Sequence, residues 1–180
     1  MKLRVSRWLA VFLLLASWPL LAADALPQPK PGEVPPDELG HDRRGDPVTV
    51  SQHRGKVVIV TFWASWCGPC RRELPILGEL QRVVGREHLE VIAVNYKEDK
   101  RDFNDVIRAN KDVALTYVHD KRGTISDRYG VMALPNMFII GSDGRVAHVH
   151  RGYSAEMVDE FVAEMLALLP ADVLAKPAGS

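Results

Sequence analysis

Cysteine is scarce in this chain, with two among 180 residues, at positions 67 and 70. A fold stapled by several disulfides is therefore excluded, and no thiol is left for scaffolding once that pair is set aside. An excess of either charge is also missing, because 23 basic residues meet 23 acidic ones. With no basic stripe and no acidic tail, nothing points to nucleic acid or to a partner held by net charge. An unbroken apolar run of the ~20 residues that span a bilayer is absent too. Trp8–Ala23 is 16 residues long and is interrupted by Ser17 and Pro19. Internal repeats are lacking. What remains, at 47% hydrophobic and 26% charged residues, is ordinary for one globular domain with tails.

The short apolar run has a context of its own. Lys2, Arg4 and Arg7 precede it, no acid occurs before Asp24, and small residues follow at Ala22–Ala25. A basic start, a short apolar stretch and small residues at its end form an export signal. Residues 1–23 are thus read as a signal cut after Ala22, Ala23 or Ala25, or retained as an N-terminal membrane anchor. Residues 24–36 hold five prolines and read as an extended, semi-rigid linker. That linker either stands the domain off a membrane or is a leftover of export. Export places the chain in a disulfide-permissive compartment, the periplasm, either soluble or tethered to the inner membrane.

Both cysteines fall in one stretch, VVIVTFWASWCGPC, which is followed by RRELPILGELQRVV. Val57–Trp63 is rich in β-branched and aromatic residues and reads as a buried strand; the residues after Cys67 have helical spacing to about Val84. A strand therefore delivers two thiols to the first turn of a helix. Unpaired N–H groups and the positive end of the dipole favour an anion there, so Cys67 is the nucleophilic thiolate. Cys70, one turn on, is placed to attack a mixed disulfide on Cys67. Gly68 and Pro69 shape the turn between them, where the N–H that proline lacks would be orphaned anyway. A structural staple is the alternative reading, but so short a loop gains almost no closure entropy.

The stretch FWASWCGPCRRELP resembles the thioredoxin superfamily, and more narrowly the exported reductases of the TlpA/ResA/DsbE (CcmG) group. The resemblance extends from about Pro36 to Leu169. It implies an α/β, thioredoxin-like fold: a central mixed sheet flanked by helices, with an N-terminal β-hairpin and an extra helix inserted before the third core strand. Residues 37–50 and 102–110 supply those two additions. The domain is expected over 37–170, with a flexible tail at 171–180. By the same resemblance, Pro135 is cis and packs against the cysteine pair, while the backbone of Leu134 bonds an extended client segment. An ordinary trans proline at the start of a strand is the alternative.

The order of elements agrees. Val48–Val50, Leu89–Val94, Leu115–Val118, Asn136–Ile140 and Val146–His150 read as strands, the last two as a hairpin across Gly141–Gly144. Asp102–Asn110 and Ile125–Tyr129 read as helices. Leu74, Leu77, Leu80, Val83 and Val84 mark the inner face of the helix after the motif, which Pro75 should kink. Val158, Phe161, Val162, Met165 and Leu169 mark a final amphipathic helix, with Ser154 as its N-cap and Pro170 as its stop.

Other candidates follow. Thioredoxin carries a buried aspartate on the strand before the motif; the matching position here is Thr61, which cannot titrate. ResA-like members place a glutamate after the next strand, where this chain has Glu98, a candidate to take the proton from Cys70. Asp99 competes for that role, and a solvated loop acid is the plain alternative. Trp66 should offer a client a flat apolar surface, whereas Trp63 reads as core. Arg71 and Arg72 add positive charge near the thiolate or are simply solvated. His148 and His150 share a strand face with a spacing compatible with a metal, but no third ligand is evident.

The function expected is a protein-disulfide reductase acting on exported proteins, with no cofactor beyond the redox-active pair and no bound metal. By resemblance, apocytochrome c is a client and a membrane protein of the DsbD/CcdA type supplies electrons. A carrier of Cu(I) or another metal between two thiolates is the alternative. A peroxidase of the peroxiredoxin kind needs a differently placed cysteine.

Overall fold

A computed structural model describes residues 26–174; the expected export signal, residues 1–23, lies outside them. The central sheet has strands β3 (Val57–Trp63), β4 (Leu89–Tyr96), β5 (Thr116–Asp120), β6 (Asn136–Ile140) and β7 (Val146–Arg151), in the order β5-β4-β3-β6-β7. β3 pairs parallel with β4 and antiparallel with β6, so the sheet is mixed, as expected. Every residue of β3 is buried, which explains its unbroken apolar run: it is the central strand and is covered on both faces.

The two faces carry separate cores. On one, Ile59, Trp63, Val91 and Ala93 pack with helices α1 (Gly68–Val84), α2 (Lys100–Ala109) and α4 (Glu156–Ala167), and both cysteines belong to this layer. On the other, Val58, Val60, Phe62 and Phe138 pack with helix α3 (Thr124–Arg128) and the hairpin of β1 (Glu38–His41) and β2 (Pro47–Thr49). The hairpin and the inserted helix α2 both form where the resemblance placed them. Alternation along β3 thus sends Thr61 and Trp63 toward the cysteines and Phe62 away from them.

Helix α1 runs unbroken through Pro75, which is exposed, and ends at Gly85 (φ 89°), whose N–H donates to the Gln81 carbonyl at 2.9 Å. Its inner face differs from the one expected. Val83 is 54% exposed, while Glu73 and Gln81 are buried. Gln81 is tolerated inside because both ends of its amide are partnered: Nε2 donates to the Ala114 carbonyl at 2.6 Å and Oε1 accepts from Val91 N–H at 2.7 Å.

Three further expectations need correction. Ser154 is not the N-cap of α4; Ala155 takes that place with its backbone already helical (φ −62°, ψ −34°) and no side-chain cap bond. Ser154 instead bonds the Glu156 carboxyl, holding it below the usual carboxylate range. Helix α4 ends at Ala167, before Pro170, but the tail expected to be flexible from residue 171 begins with one more turn, Ala171–Leu174; residues 175–180 are outside the described range. Nor does the proline-rich segment run free of the domain from residue 26 onward. Gly32 N–H donates to the Val146 carbonyl at 2.8 Å and Val146 N–H to the Glu33 carbonyl at 2.9 Å. The contact is made by a turn, closed by Glu33 N–H donating to the Lys30 carbonyl at 3.0 Å with Gly32 at φ 88°, set against the start of the edge strand β7.

Candidate active site

The carboxyl ends of β3 and β4 and the first turn of α1 meet at one end of the sheet. Cys67 is the N-cap of α1, with extended backbone (φ −83°, ψ 98°), and Pro69 occupies the first turn. Cys70 N–H donates to Cys67 Sγ at 3.2 Å. This is a capping bond made by sulfur: one of the orphan donors of the helix points at Cys67 Sγ, an arrangement that favours negative charge on that atom. The two sulfurs are joined as a disulfide across a Cα–Cα distance of 5.3 Å. Cys67 retains 5% of its surface and Cys70 none, so the outer sulfur is the one a client can reach.

Trp66 stands 68% exposed beside Cys67, the side expected to meet a client, whereas Trp63 is wholly buried and stacks on Phe103 with centroids 6.1 Å apart. The Leu134–Pro135 bond is cis. Leu134 is half-buried between the two cores, Pro135 is buried, and the Pro135 carbonyl accepts from Gly152 N–H at 2.8 Å. Ahead of Leu134, Met132 is 82% exposed. Arg71 and Arg72 are both exposed, and the Arg72 guanidinium lies 6.0 Å from the centroid of the Tyr153 ring.

Glu98 is buried, and its carboxyl is engaged on three sides. Ser65 N–H donates to it at 2.7 Å, the Ser65 hydroxyl bonds the second oxygen, and Asn95 Nδ2 donates at 2.6 Å. These bonds tie the residue two positions before Cys67 to the end of β4. Asp99 is exposed and pairs with Lys121 at 3.2 Å.

A second buried carboxyl escaped the sequence reading. Glu73 sits one helical turn beyond Cys70, on the same inward face of α1, and is 2% exposed. Its Oε2 accepts from the Thr61 hydroxyl at 2.8 Å. Burial pushes its carboxyl up to about 7, opposed by that one hydrogen bond. Thr61, which cannot titrate, thus brings a titratable carboxyl to its side from the helix. The signal was available: a lone acid three residues past a buried cysteine, between inward-facing positions.

His148 and His150 meet Glu164 of α4, His150 Nε2 at 2.6 Å and His148 Nδ1 at 3.0 Å, so a carboxyl fastens β7 to α4 between the two rings. Among the described residues, no group of three or more His, Cys, Asp or Glu is placed to hold a metal ion. Among the same residues no helix is long and apolar enough to cross a membrane.

The chemistry this geometry allows is thiol–disulfide exchange, and the comparisons agree. Residues 31–149 match the model of the AhpC/TSA family. The chain is 33% identical over 123 residues to the thiol-disulfide oxidoreductase ResA of Geobacillus thermodenitrificans, covering 67% of this chain and 69% of that protein. It is 29% identical over 132 residues to ResA of Bacillus subtilis, covering 73% of each. Among solved structures it is similar to one assigned as the thiol:disulfide interchange protein DsbE of Chlorobium tepidum, with TM-score 0.73 and 30% identity, over 78% of this chain and 99% of that one. The chain is an enzyme, a thioredoxin-like protein-disulfide oxidoreductase. It belongs to the AhpC/TSA family, among the thioredoxin-like proteins of the TlpA/ResA/DsbE kind.

Proposed function

We propose that this enzyme works as a reductase of disulfides in exported proteins, with Cys67 as nucleophile, Cys70 as resolving thiol and Glu73 as the acceptor of the Cys70 proton. The observation that carries this reading is the placement of two unequal sulfurs, one capping α1 with a little surface left to solvent and one wholly buried a turn from a carboxyl. In the reduced enzyme the Cys67 thiolate attacks a client disulfide, forms a mixed disulfide and expels one client thiolate. The Cys70 proton passes to Glu73, and the Cys70 thiolate attacks Cys67 Sγ. The second client sulfur leaves as thiolate and takes a proton from solvent. Two electrons have moved from the enzyme pair to the client, and the Cys67–Cys70 disulfide is the product.

Trp66, Gly68, Pro69, Leu134 and Pro135 form the client-binding rim. Trp66 supplies exposed apolar surface and the Leu134 backbone bonds an extended segment. Glu98 fixes the Ser65–Trp66 approach to Cys67; its three donors leave Glu73 the freer carboxyl for proton transfer. The chain is exported to the periplasm by residues 1–23, cut or kept as an anchor. Electrons come from a membrane donor of the DsbD/CcdA type, and apocytochrome c is a client whose haem-attaching thiols must be reduced.

The direct test is insulin reduction by the reduced enzyme. Cys67→Ser is expected to abolish turnover, and Cys70→Ser to stall as a mixed disulfide through Cys67. Turnover by Cys67→Ser at the unsubstituted rate contradicts the mechanism. For the client, deleting the gene is expected to lower covalent cytochrome c; unchanged levels under all growth conditions reject that assignment alone.

A further inference from the structure

The Thr61–Glu73 hydrogen bond lies entirely inside the molecule. Thr61 is 0% exposed and Glu73 is 2% exposed. Among the described residues Thr61 is the one donor to this carboxyl, at 2.8 Å. Apart from the indole N–H of Trp63, β3 is otherwise apolar from Val57 to Trp63, and the Thr61 hydroxyl is the one side-chain donor the central strand gives to this carboxyl. A buried hydroxyl could have bonded a backbone carbonyl of its own neighbourhood. It is turned across the sheet–helix boundary instead, onto the residue one turn below Cys70.

We propose that Thr61 is a positioning residue for the exchange reaction: its hydroxyl holds the Glu73 carboxylate in place and sets the pH at which Cys70 can be deprotonated. This rests on the reading of Glu73 as proton acceptor. A donated hydrogen bond favours the ionised form of a carboxyl. The hydroxyl thus opposes the burial that drives Glu73 toward its neutral form, keeping it close to the working pH of the compartment.

The surroundings offer no rival for this control. Across the sheet the row containing Thr61 reads Tyr117, Ala93, Thr61, Met137, His150. Tyr117 is itself pushed up to about 12 by burial, and so stays neutral. His150 is bonded to Glu164, two strands away. On α1 the Arg72 head lies against Tyr153, and Cys70 is the remaining titratable neighbour once reduced. Among the described residues no charged side chain acts on the Glu73 carboxyl; burial raises it and the Thr61 hydrogen bond lowers it.

The experiment reads the resolving step alone. The reduced enzyme is mixed with 5,5′-dithiobis(2-nitrobenzoate): the first thionitrobenzoate is released by Cys67 and the second by Cys70. The rate of the second phase is followed against pH for the unsubstituted protein, Thr61→Val, Thr61→Ser and Glu73→Gln. The inflection near pH 7 should move up by about one pH unit in Thr61→Val, slowing the second phase about tenfold at pH 6. Thr61→Ser, which keeps the donor, should follow the unsubstituted protein. The infrared band of the protonated carboxyl, identified by its loss in Glu73→Gln, should titrate at the same shifted pH, a readout that lost packing does not move. If Thr61→Val does not fold, Thr61→Ala carries the same test. A Thr61→Val profile superimposed on the unsubstituted one, with the inflection absent in Glu73→Gln, overturns the role of Thr61 and leaves that of Glu73 intact. An inflection that persists in Glu73→Gln overturns the reading of Glu73 itself.

Discussion

Cys67 and Cys70 have the same side chain and different environments, and in the proposed mechanism that difference is the basis of the reaction. One sulfur accepts an N–H at the mouth of α1; the other is enclosed, one helical turn from a buried carboxyl. Glu73 makes the cost of that enclosure measurable. Its folded value of about 7 lies above the ordinary 4.5, so the folded protein holds this proton more tightly than the unfolded chain does. The stability it confers is fully present below about pH 4.5 and is lost as pH rises through 7, a change of up to about 3 kcal/mol. Glu73→Gln should therefore gain stability relative to the unsubstituted oxidised protein between pH 4.5 and 7, with a plateau above. Urea unfolding of both proteins across that range checks this, and a difference independent of pH contradicts it. At this scale the cysteines were legible because their spacing has few other uses. Glu73 was not, since an acid on a helix reads as solvated until the sheet covering it is known.

Among the elements, β3 and α1 form the unit that the rest supports. Their succession was readable from the change of period at Ala64–Cys67, as was the β6–β7 hairpin from its turn. What the periodicity missed was which polar residues of α1 face inward, because Gln81 and Glu73 become tolerable only once Ala114, Val91 and Thr61 supply partners. The same holds for the proline-rich segment, whose docking on β7 depends on an exposed edge far away in the chain. Close packing between α1 and the segment after α2 is tested by Gly78, where an added Cβ would meet Val113 Cγ1 at 2.5 Å. Gly78→Ala gains helix propensity of about 1 kcal/mol and meets an overpacking cost of about 1–3 kcal/mol. A lower Tm is expected, restored in part by adding Val113→Ala. A raised Tm in the single variant contradicts this packing.

For the whole molecule, the reduction potential gathers these local terms into one quantity. Every contact that favours the Cys67 thiolate stabilises the reduced enzyme, and every cost of burying Glu73 charged bears on the dithiol that must give up its proton. The Gly-Pro pair resembles that of thioredoxin, a reductant, while 30 mV corresponds to only about 1.4 kcal/mol, a single good hydrogen bond. Direction of electron flow is therefore the property that local geometry constrains least and on which the account depends most. The deciding measurement equilibrates the enzyme in graded dithiothreitol and glutathione buffers and quantifies the Cys67–Cys70 disulfide by alkylation. A reducing couple near the ~−270 mV of thioredoxin is the predicted result; a couple near the ~−120 mV of DsbA would contradict it.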